Sequence, residues 1–253
     1  HRDLHSFPTR RSSDLSNFIL KGGFLIASIV GLDTRATMDI DTTAKGFTLT
    51  ADAARAAFTE ICRLEVEDDV TLEVLDCTEI READDYSGIR VSIRAVYLTL
   101  IVPLKVDVTT GDRITPAEIE YELPLLFDDR KISVLAYTLE TILAEKIETI
   151  LSRDIANTRP RDFYDVYILR SLRKKKYRPK LLKQALDETA ARRGSAEILS
   201  RYEEILQRVE GDEQMNRFWS KYQDEFSYAK GIEFAEACAA VRALCWDSQV
   251  LAT

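Results

Sequence analysis

Histidine is almost absent from this 253-residue chain, and its four cysteines do not occur in the paired spacings of a metal site. The two histidines stand at positions 1 and 5, so chemistry that relies on histidine as an acid, a base or a metal ligand is nearly excluded. We interpret the cysteines as reduced residues that pack in the protein interior. Any chemistry must therefore depend on carboxylates, lysine and hydroxyl groups.

Long apolar runs are also missing from the sequence. The longest run without a charge, Phe24 to Leu32, is less than half of the roughly 20 residues that a membrane-spanning helix needs. Together with the reduced cysteines, this predicts a cytoplasmic protein without a membrane partner. The net charge of −8 argues against a broad surface for nucleic acid, although it is compatible with a narrow basic patch.

The segment from His1 to Leu15 has neither an initiator methionine nor the apolar centre of a signal peptide. Residues 5–15 resemble one reading frame of a sequencing adapter, and we expect residues 1–15 to be a non-native artefact segment. The alternative is an exposed basic arm that binds a partner. On the first interpretation, the native N-terminus is missing and the fold begins near Ser16.

The pattern of apolar residues changes near Tyr137. Before it, runs rich in valine and threonine predict strands, and after it the spacing of apolar residues is helical. The predicted strands are residues 18–20, 37–43, 70–80, 89–97, 98–108 and 132–136. The predicted helices are residues 24–30, 50–64, 138–152, 161–171, 180–192, 196–208, 212–226 and 232–246. An α/β half over 16–136 is therefore expected to precede a helical half over 137–253.

An Asp-x-Asp pair, Asp39 and Asp41, lies in one predicted strand. Side chains two residues apart share a face of a strand, and two carboxylates so close together are stabilised by a cation such as Mg²⁺. Taken alone, the pair also fits a solvated strand face. The Gly22–Gly23 turn lies between a strand and a helix, where backbone N–H groups can bind phosphate, and Asp107 supplies a third carboxylate. This set predicts a metal-dependent phosphoryl-transfer site.

An ordered set of short motifs resembles the polymerase-beta-type nucleotidyltransferase superfamily, and more narrowly the AbiEii/AbiGii toxin family of abortive-infection systems. The segments that carry this resemblance are Lys21–Gly23, Arg35–Asp41, Leu104–Asp112, Ala144–Lys146, Arg161–Tyr167 and Trp219–Tyr222. The resemblance extends from Ser16 to the C-terminus. Phe24 departs from it, since the family often has threonine after the glycines. The implied fold is α+β, a polymerase-beta-like domain with a small mixed sheet and flanking helices, followed by an all-helical domain.

The resemblance also implies roles for individual residues. Asp39, Asp41 and Asp107 are expected to bind Mg²⁺, and Lys146 is expected to reach the triphosphate of the nucleotide. Asp162 and Asp165 are implied to be essential, with Asp165 expected to face the site. The residues expected to contact the nucleotide are Lys21, Gly22, Gly23 and Arg35. For Arg35, binding of phosphate or base and a role as a salt-bridge partner remain equal alternatives.

The implied reaction transfers a nucleotide from a nucleoside triphosphate, GTP or CTP, to RNA, with transfer RNA as one candidate. The dense basic stretch Arg173–Lys180 is a candidate RNA contact, with Tyr177 as a stacking surface, although it also fits a solvated loop. The expected biological role is that of a toxin in phage defence, with a separate DNA-binding antitoxin as partner. The alternatives are a non-catalytic nucleotide-binding module and a phosphotransferase that uses the same carboxylates.

Overall fold

The computed structural model describes residues 17–37, 39–64, 69–81, 87–124, 130–173 and 176–250. Within these residues the chain divides into two compact units. The first is drawn from residues 17–28, 36–112 and 119–136, and the second from 29–35, 113–118 and 137–250. Two short segments thus depart from the boundary expected at residue 137. They belong with the later helices because Arg35 is ion-paired with Asp165 and the Thr115 N–H donates to Thr141.

A seven-stranded mixed sheet in the first unit contains every strand of the described residues. The strands are β1 (Phe18–Lys21), β2 (Asp39–Ala44), β3 (Val70–Arg81), β4 (Ser87–Tyr97), β5 (Leu100–Thr110), β6 (Ile119–Pro124) and β7 (Lys131–Ala136). Their order across the sheet is β3-β4-β5-β2-β1-β7-β6. The pairs β2–β5 and β1–β7 are parallel, and the other neighbouring strands are antiparallel.

Two helices belong to this half of the chain, α1 (Gly22–Val30) and α2 (Ala51–Cys62). Helix α2 begins where the sequence predicts, because the Thr50 hydroxyl accepts a hydrogen bond of 3.1 Å from the Ala53 N–H. Its apolar side contributes Ala54 and Phe58 to a core that also contains alternate residues of the central strands. The sheet therefore has one face buried in this core.

Strand β6 was not predicted from the sequence. Its residues Ile119, Tyr121 and Leu123 alternate with Glu120 and Glu122, as in a half-buried strand. The segment is short, acidic and ends in proline, features typical of an edge strand. It pairs antiparallel with β7 and forms one edge of the sheet.

The described residues that follow Ala136 contain only helices and connecting segments. The α-helices are α3 (Leu139–Arg153), α4 (Pro160–Arg173), α5 (Pro179–Arg192), α6 (Tyr202–Gly211), α7 (Glu213–Glu225) and α8 (Phe234–Val250). These agree with the prediction except at residues 196–208, where a 3₁₀ helix (Ala196–Arg201) precedes α6. A cluster of aromatic rings, including Tyr164, Trp219 and Tyr222, packs inside this unit.

The four cysteines are free thiols, and Cys238 and Cys245 of α8 are buried. Burial raises the pKa of both thiols to about 12, which leaves them protonated and unreactive at neutral pH. Cys62 and Cys77 pack against the core of the first unit, so all four cysteines are packing residues as predicted, and their reduced state stays a prediction. None of the described helices is long and apolar enough to cross a lipid bilayer.

Candidate functional site

Three aspartates lie side by side on one face of the sheet. Asp41 of β2 is directly opposite Asp107 of the parallel strand β5, and Asp39 precedes Asp41 by one full strand repeat. Neighbouring strands are about 4.8 Å apart and alternate residues about 6.6 Å apart, so the three carboxylates start from backbone positions within about 8 Å of one another. Residues distant in sequence are thus brought together, as the sequence predicts.

The opposite face of the same strands is apolar, which determines where the carboxylates point. Ile40 packs against the core of the first unit, and Val106 and Val108 are buried in it. Because side chains alternate along a strand, Asp39, Asp41 and Asp107 must lie on the other face. Asp39 is exposed and Asp41 is half-buried, so solutes can reach this face.

The turn before α1 is built around the Asp41 side chain. Gly22 has a positive φ of +63°, and a Cβ atom at this position would lie 2.1 Å from Oδ2 of Asp41. The following N–H, that of Gly23, donates a hydrogen bond of 3.2 Å to the same oxygen. Gly22 therefore provides space for the carboxylate, and the N-terminus of α1 stabilises its negative charge. Phosphate binding by this turn, expected from the sequence, stays a prediction.

Arg90 was not identified from the sequence, yet it is bound to the third carboxylate. It lies on β4 opposite Asp107, and its guanidinium donates to both Asp107 oxygens at 2.7 Å. These hydrogen bonds, together with the charges of Asp107, Asp39 and Asp41, raise the pKa of Arg90. The polar positions of β4 alternate with buried Ile89, Val91 and Ile93, which is the signal that marks Arg90 in the sequence.

Beside the aspartates, Lys21 forms a buried polar cluster with Asp112 and two threonines. Its ammonium lies 2.6 Å from the Asp112 carboxylate and donates to the Thr109 hydroxyl at 2.7 Å. The Thr43 hydroxyl also donates to Asp112. Burial raises the pKa of Asp112, but Lys21 and the hydroxyl donors outweigh it and lower the pKa to about 2. In this arrangement Lys21 connects β1 to the end of β5. The expected contact of Lys21 with a nucleotide stays a prediction.

The remaining predicted residues meet in the second unit, in a buried cluster of two cations and two carboxylates. Arg35 is only 1% exposed and donates to the fully buried Asp165 at 2.8 Å. Lys146 contacts the same carboxylate at 3.0 Å and that of Asp162 at 2.5 Å. The structure thus assigns Arg35 to the salt-bridge alternative. Asp165 is fully buried among these partners, and the expectation that it faces the reaction site stays a prediction.

Charges within this cluster stabilise one another strongly. Burial raises the pKa of Asp165, but Lys146 and Arg35 outweigh that effect and lower it. Burial by itself lowers the pKa of Lys146, but the nearby carboxylates of Asp162 and Asp165 outweigh this effect and raise the pKa above its ordinary value. Arg35, Lys146 and Asp165 are therefore charged at neutral pH. The role of Lys146 at a triphosphate stays a prediction, since its ammonium is held here by two carboxylates.

The basic stretch proposed as an RNA contact differs from expectation in one respect. Tyr177 is buried rather than exposed, and its hydroxyl donates to Asp247. Its ring is therefore not available as a stacking surface for a base. Lys174 and Lys175 lie outside the described residues, and Lys176 is exposed.

The three aspartates match Mg²⁺ in donor type, because oxygen ligands suit this hard cation. Within the described ranges, no three His, Cys, Asp or Glu side chains are arranged closely enough to hold a metal ion as they stand. The reason is visible in their contacts: Asp107 is turned towards Arg90, and Asp41 towards the Gly23 N–H. The three side chains thus fit a divalent cation in donor type and backbone placement, but Asp107 and Asp41 would both have to turn from these partners for all three to reach one ion.

A mixed sheet with an Asp-x-Asp strand, a neighbouring third aspartate and a Gly-Gly turn agrees with the nucleotidyltransferase class that the motifs resemble. Residues 9–240 match the family model described as nucleotidyl transferase AbiEii toxin of the type IV toxin–antitoxin systems. The chain therefore belongs to the AbiEii family of nucleotidyl transferase toxins.

Two solved structures from Helicobacter pylori are similar to this chain. The crystal structure of JHP933 has a TM-score of 0.48 at 12% identity and covers 93% of this chain and 88% of its own. A candidate nucleotidyltransferase also has a TM-score of 0.48, at 15% identity, and covers 94% of this chain and 91% of its own. Among curated proteins, none matches this chain significantly.

Proposed function

We propose that this chain is a Mg²⁺-dependent nucleotidyltransferase that transfers a nucleotide from GTP or CTP to an RNA acceptor, with transfer RNA as the first candidate. The observation that carries the proposal is the convergence of Asp39, Asp41 and Asp107 on one accessible sheet face beside the Gly22–Gly23 turn. Family membership supports nucleotidyl transfer as the reaction class. As the toxin, the chain would act with a separate DNA-binding antitoxin.

Nucleotide transfer requires that an RNA hydroxyl oxygen attack the α-phosphorus while the bond from that phosphorus to the bridging β-oxygen breaks. Pyrophosphate then leaves, and the hydroxyl proton must go to a base. Asp39, Asp41 and Asp107 would hold Mg²⁺, which supplies charge stabilisation and lowers the pKa of the hydroxyl. Asp107 is the candidate acceptor of that proton, once its oxygens are released from Arg90.

A double-label experiment tests the reaction. Purified protein is incubated with total RNA, Mg²⁺ and each nucleoside triphosphate in turn, labelled at either the α- or the γ-phosphate. We expect RNA to acquire the α-label only, and EDTA to abolish the incorporation. The matched negative control is the double variant Asp39→Asn/Asp41→Asn, which should not incorporate label.

Each other outcome identifies a competing function. Transfer of the γ-label to RNA or protein would indicate a phosphotransferase. Binding of a nucleotide without transfer of either label would indicate a non-catalytic module. Metal-dependent incorporation that persists in the double aspartate variant would remove these carboxylates from the site.

Substitution of Gly22 provides a second test, because the effect of displacing the Asp41 carboxylate can be separated from the effect of backbone strain by comparison with another glycine of positive φ. Gly22→Ala should lower transfer by roughly 100-fold, since the added Cβ displaces the Asp41 carboxylate by about an ångström or more. The matched control is Gly31→Ala, which shares the positive φ (+96°) but has no atom within 4 Å of the added Cβ. Both variants incur backbone strain, so equal loss of activity in the two would contradict a specific role for the Gly22–Asp41 contact.

A further inference from the structure

Cationic side chains continue along the sheet from the three aspartates. Arg90 and Arg94 lie on β4, and Lys105 lies on β5; we call these three residues the cationic strip. Arg90 is opposite Asp107, and Lys105 is opposite Asp39 on one side and Ser92 on the other. These residues alternate with buried Val91, Ile93 and Val106, so the strip lies on the same face as the carboxylates.

The cationic strip is accessible to solvent, and Arg94 and Lys105 are not held in strong ion pairs. Arg94 pairs with Glu73 of the edge strand, and the two side chains are 44% and 58% exposed. Exposed pairs of this kind contribute little and are easily exchanged. Lys105 is exposed and forms no ion pair with any residue that the structure describes. Arg90 is bound to Asp107 and joins the strip to the carboxylate site.

Sheet order separates the strip from the glycine turn. The strands run β4-β5-β2-β1, so the cationic strip lies on one side of Asp41 and the turn that follows β1 lies on the other. Arg90 and Arg94 are roughly 13 Å apart along the strand, which is far enough for them to contact two different, non-adjacent phosphates of one polymer. The turn is where the sequence predicts contact with the phosphates of a single nucleotide. The two sides therefore suit two different substrates.

We propose that the cationic strip binds the sugar–phosphate backbone of the acceptor RNA and directs its reactive hydroxyl to Asp39, Asp41 and Asp107. This inference rests on the proposed function and names the acceptor surface of that same site. Charge complementarity carries it: in a chain with a net charge of −8, three cations adjoin the aspartates on one exposed face. Backbone contacts of this kind position a nucleic acid without reading its sequence.

The test is a binding measurement that does not require catalysis. Fluorescence anisotropy of a labelled single-stranded RNA and of labelled bulk transfer RNA is followed against salt concentration for Arg94→Gln/Lys105→Gln. Loss of two phosphate contacts should weaken binding roughly tenfold and reduce the slope of log affinity against log salt by about 1.4. The matched control is Arg217→Gln/Lys230→Gln, which removes the same charge, including an exposed arginine paired with Glu213.

Kinetics then distinguish this inference from the proposed function. In the transfer assay, Arg94→Gln/Lys105→Gln should raise the KM for RNA while the KM for the nucleotide stays unchanged. A rise in the nucleotide KM alone would overturn the proposal, because the strip would then bind the triphosphate. The wild-type protein could lack transfer activity and still bind RNA with an affinity that depends on the strip. That result would contradict the proposed reaction but support the cationic strip as an RNA-binding surface.

The basic stretch Arg173–Lys180 provides the competing location. If Lys174→Gln/Lys175→Gln/Lys176→Gln lowers RNA affinity and the strip variant equals its control, the acceptor binds at the basic stretch and the inference is wrong. The opposite result supports the strip. RNA affinity that is unchanged in both variants would also overturn the proposal.

Discussion

Replacement of Asp41 by asparagine is expected to lower nucleotide transfer by about 10³-fold while the protein remains folded. Asp41 is the central carboxylate of the three, opposite Asp107 on β5 and two residues after Asp39. Asparagine has nearly the same shape and keeps an oxygen that can accept from the Gly23 N–H. Only the negative charge is lost, and that charge is what would hold a cation against the reacting phosphate.

The measurement is the initial rate of α-label incorporation at saturating nucleotide and RNA, together with unfolding in urea. The control Asp76→Asn removes an exposed acid from β3 of the same sheet, where Asp76 pairs with exposed Arg55. It should change the rate less than twofold, because surface pairs contribute little. An Asp41→Asn variant with near wild-type rate would exclude this carboxylate from the chemistry. A variant that fails to fold would be replaced in the same assay by Asp39→Asn, whose side chain is exposed.

Asp165→Asn is expected to lower the free energy of unfolding by about 3–5 kcal/mol at neutral pH. The carboxylate is fully buried, and its partner Arg35 is 1% exposed. Without the negative charge, the buried Arg35 guanidinium loses the carboxylate to which it is ion-paired, and Lys146 keeps its contact with Asp162. Removal of one partner from a buried ion pair is costly for this reason, whatever the net stabilisation by the pair itself.

This effect should depend on pH in a definite direction. The folded-state pKa of Asp165 is lowered by Lys146 and Arg35, so its stabilisation is present above the ordinary carboxyl pKa and is lost as pH falls through the folded value. The difference in the free energy of unfolding between wild type and Asp165→Asn should therefore become smaller at acidic pH. Urea unfolding at several pH values measures it.

A surface carboxylate serves as the comparison. Asp187→Asn removes an exposed ion pair with Lys183 and should cost less than about 1 kcal/mol. If Asp165→Asn loses as little stability as Asp187→Asn but abolishes transfer, Asp165 acts at the reaction site and not as the counter-ion of Arg35. That result would restore the role expected from the sequence resemblance.

Local features of the chain were determined by the sequence itself. The alternation of Asp39 and Asp41 with Ile40 and Thr42 predicts a strand with a polar face, because neighbouring side chains of a strand point in opposite directions. Helix starts are similarly local: the Thr138 hydroxyl accepts from the Thr141 N–H at 3.1 Å, three residues away. Such signals depend on residues within one turn or one strand repeat.

Only the tertiary structure decided which distant residues meet. Asp107 lies opposite Asp41 because β5 pairs with β2, and Arg90 reaches Asp107 because β4 pairs with β5; no short-range pattern specifies either register. Arg35 and Asp165 are 130 positions apart, and only their contact in the folded chain favours the salt-bridge alternative for Arg35. Strand pairing and burial depend on the free energy of the whole fold, whereas periodicity and capping depend on neighbouring residues alone.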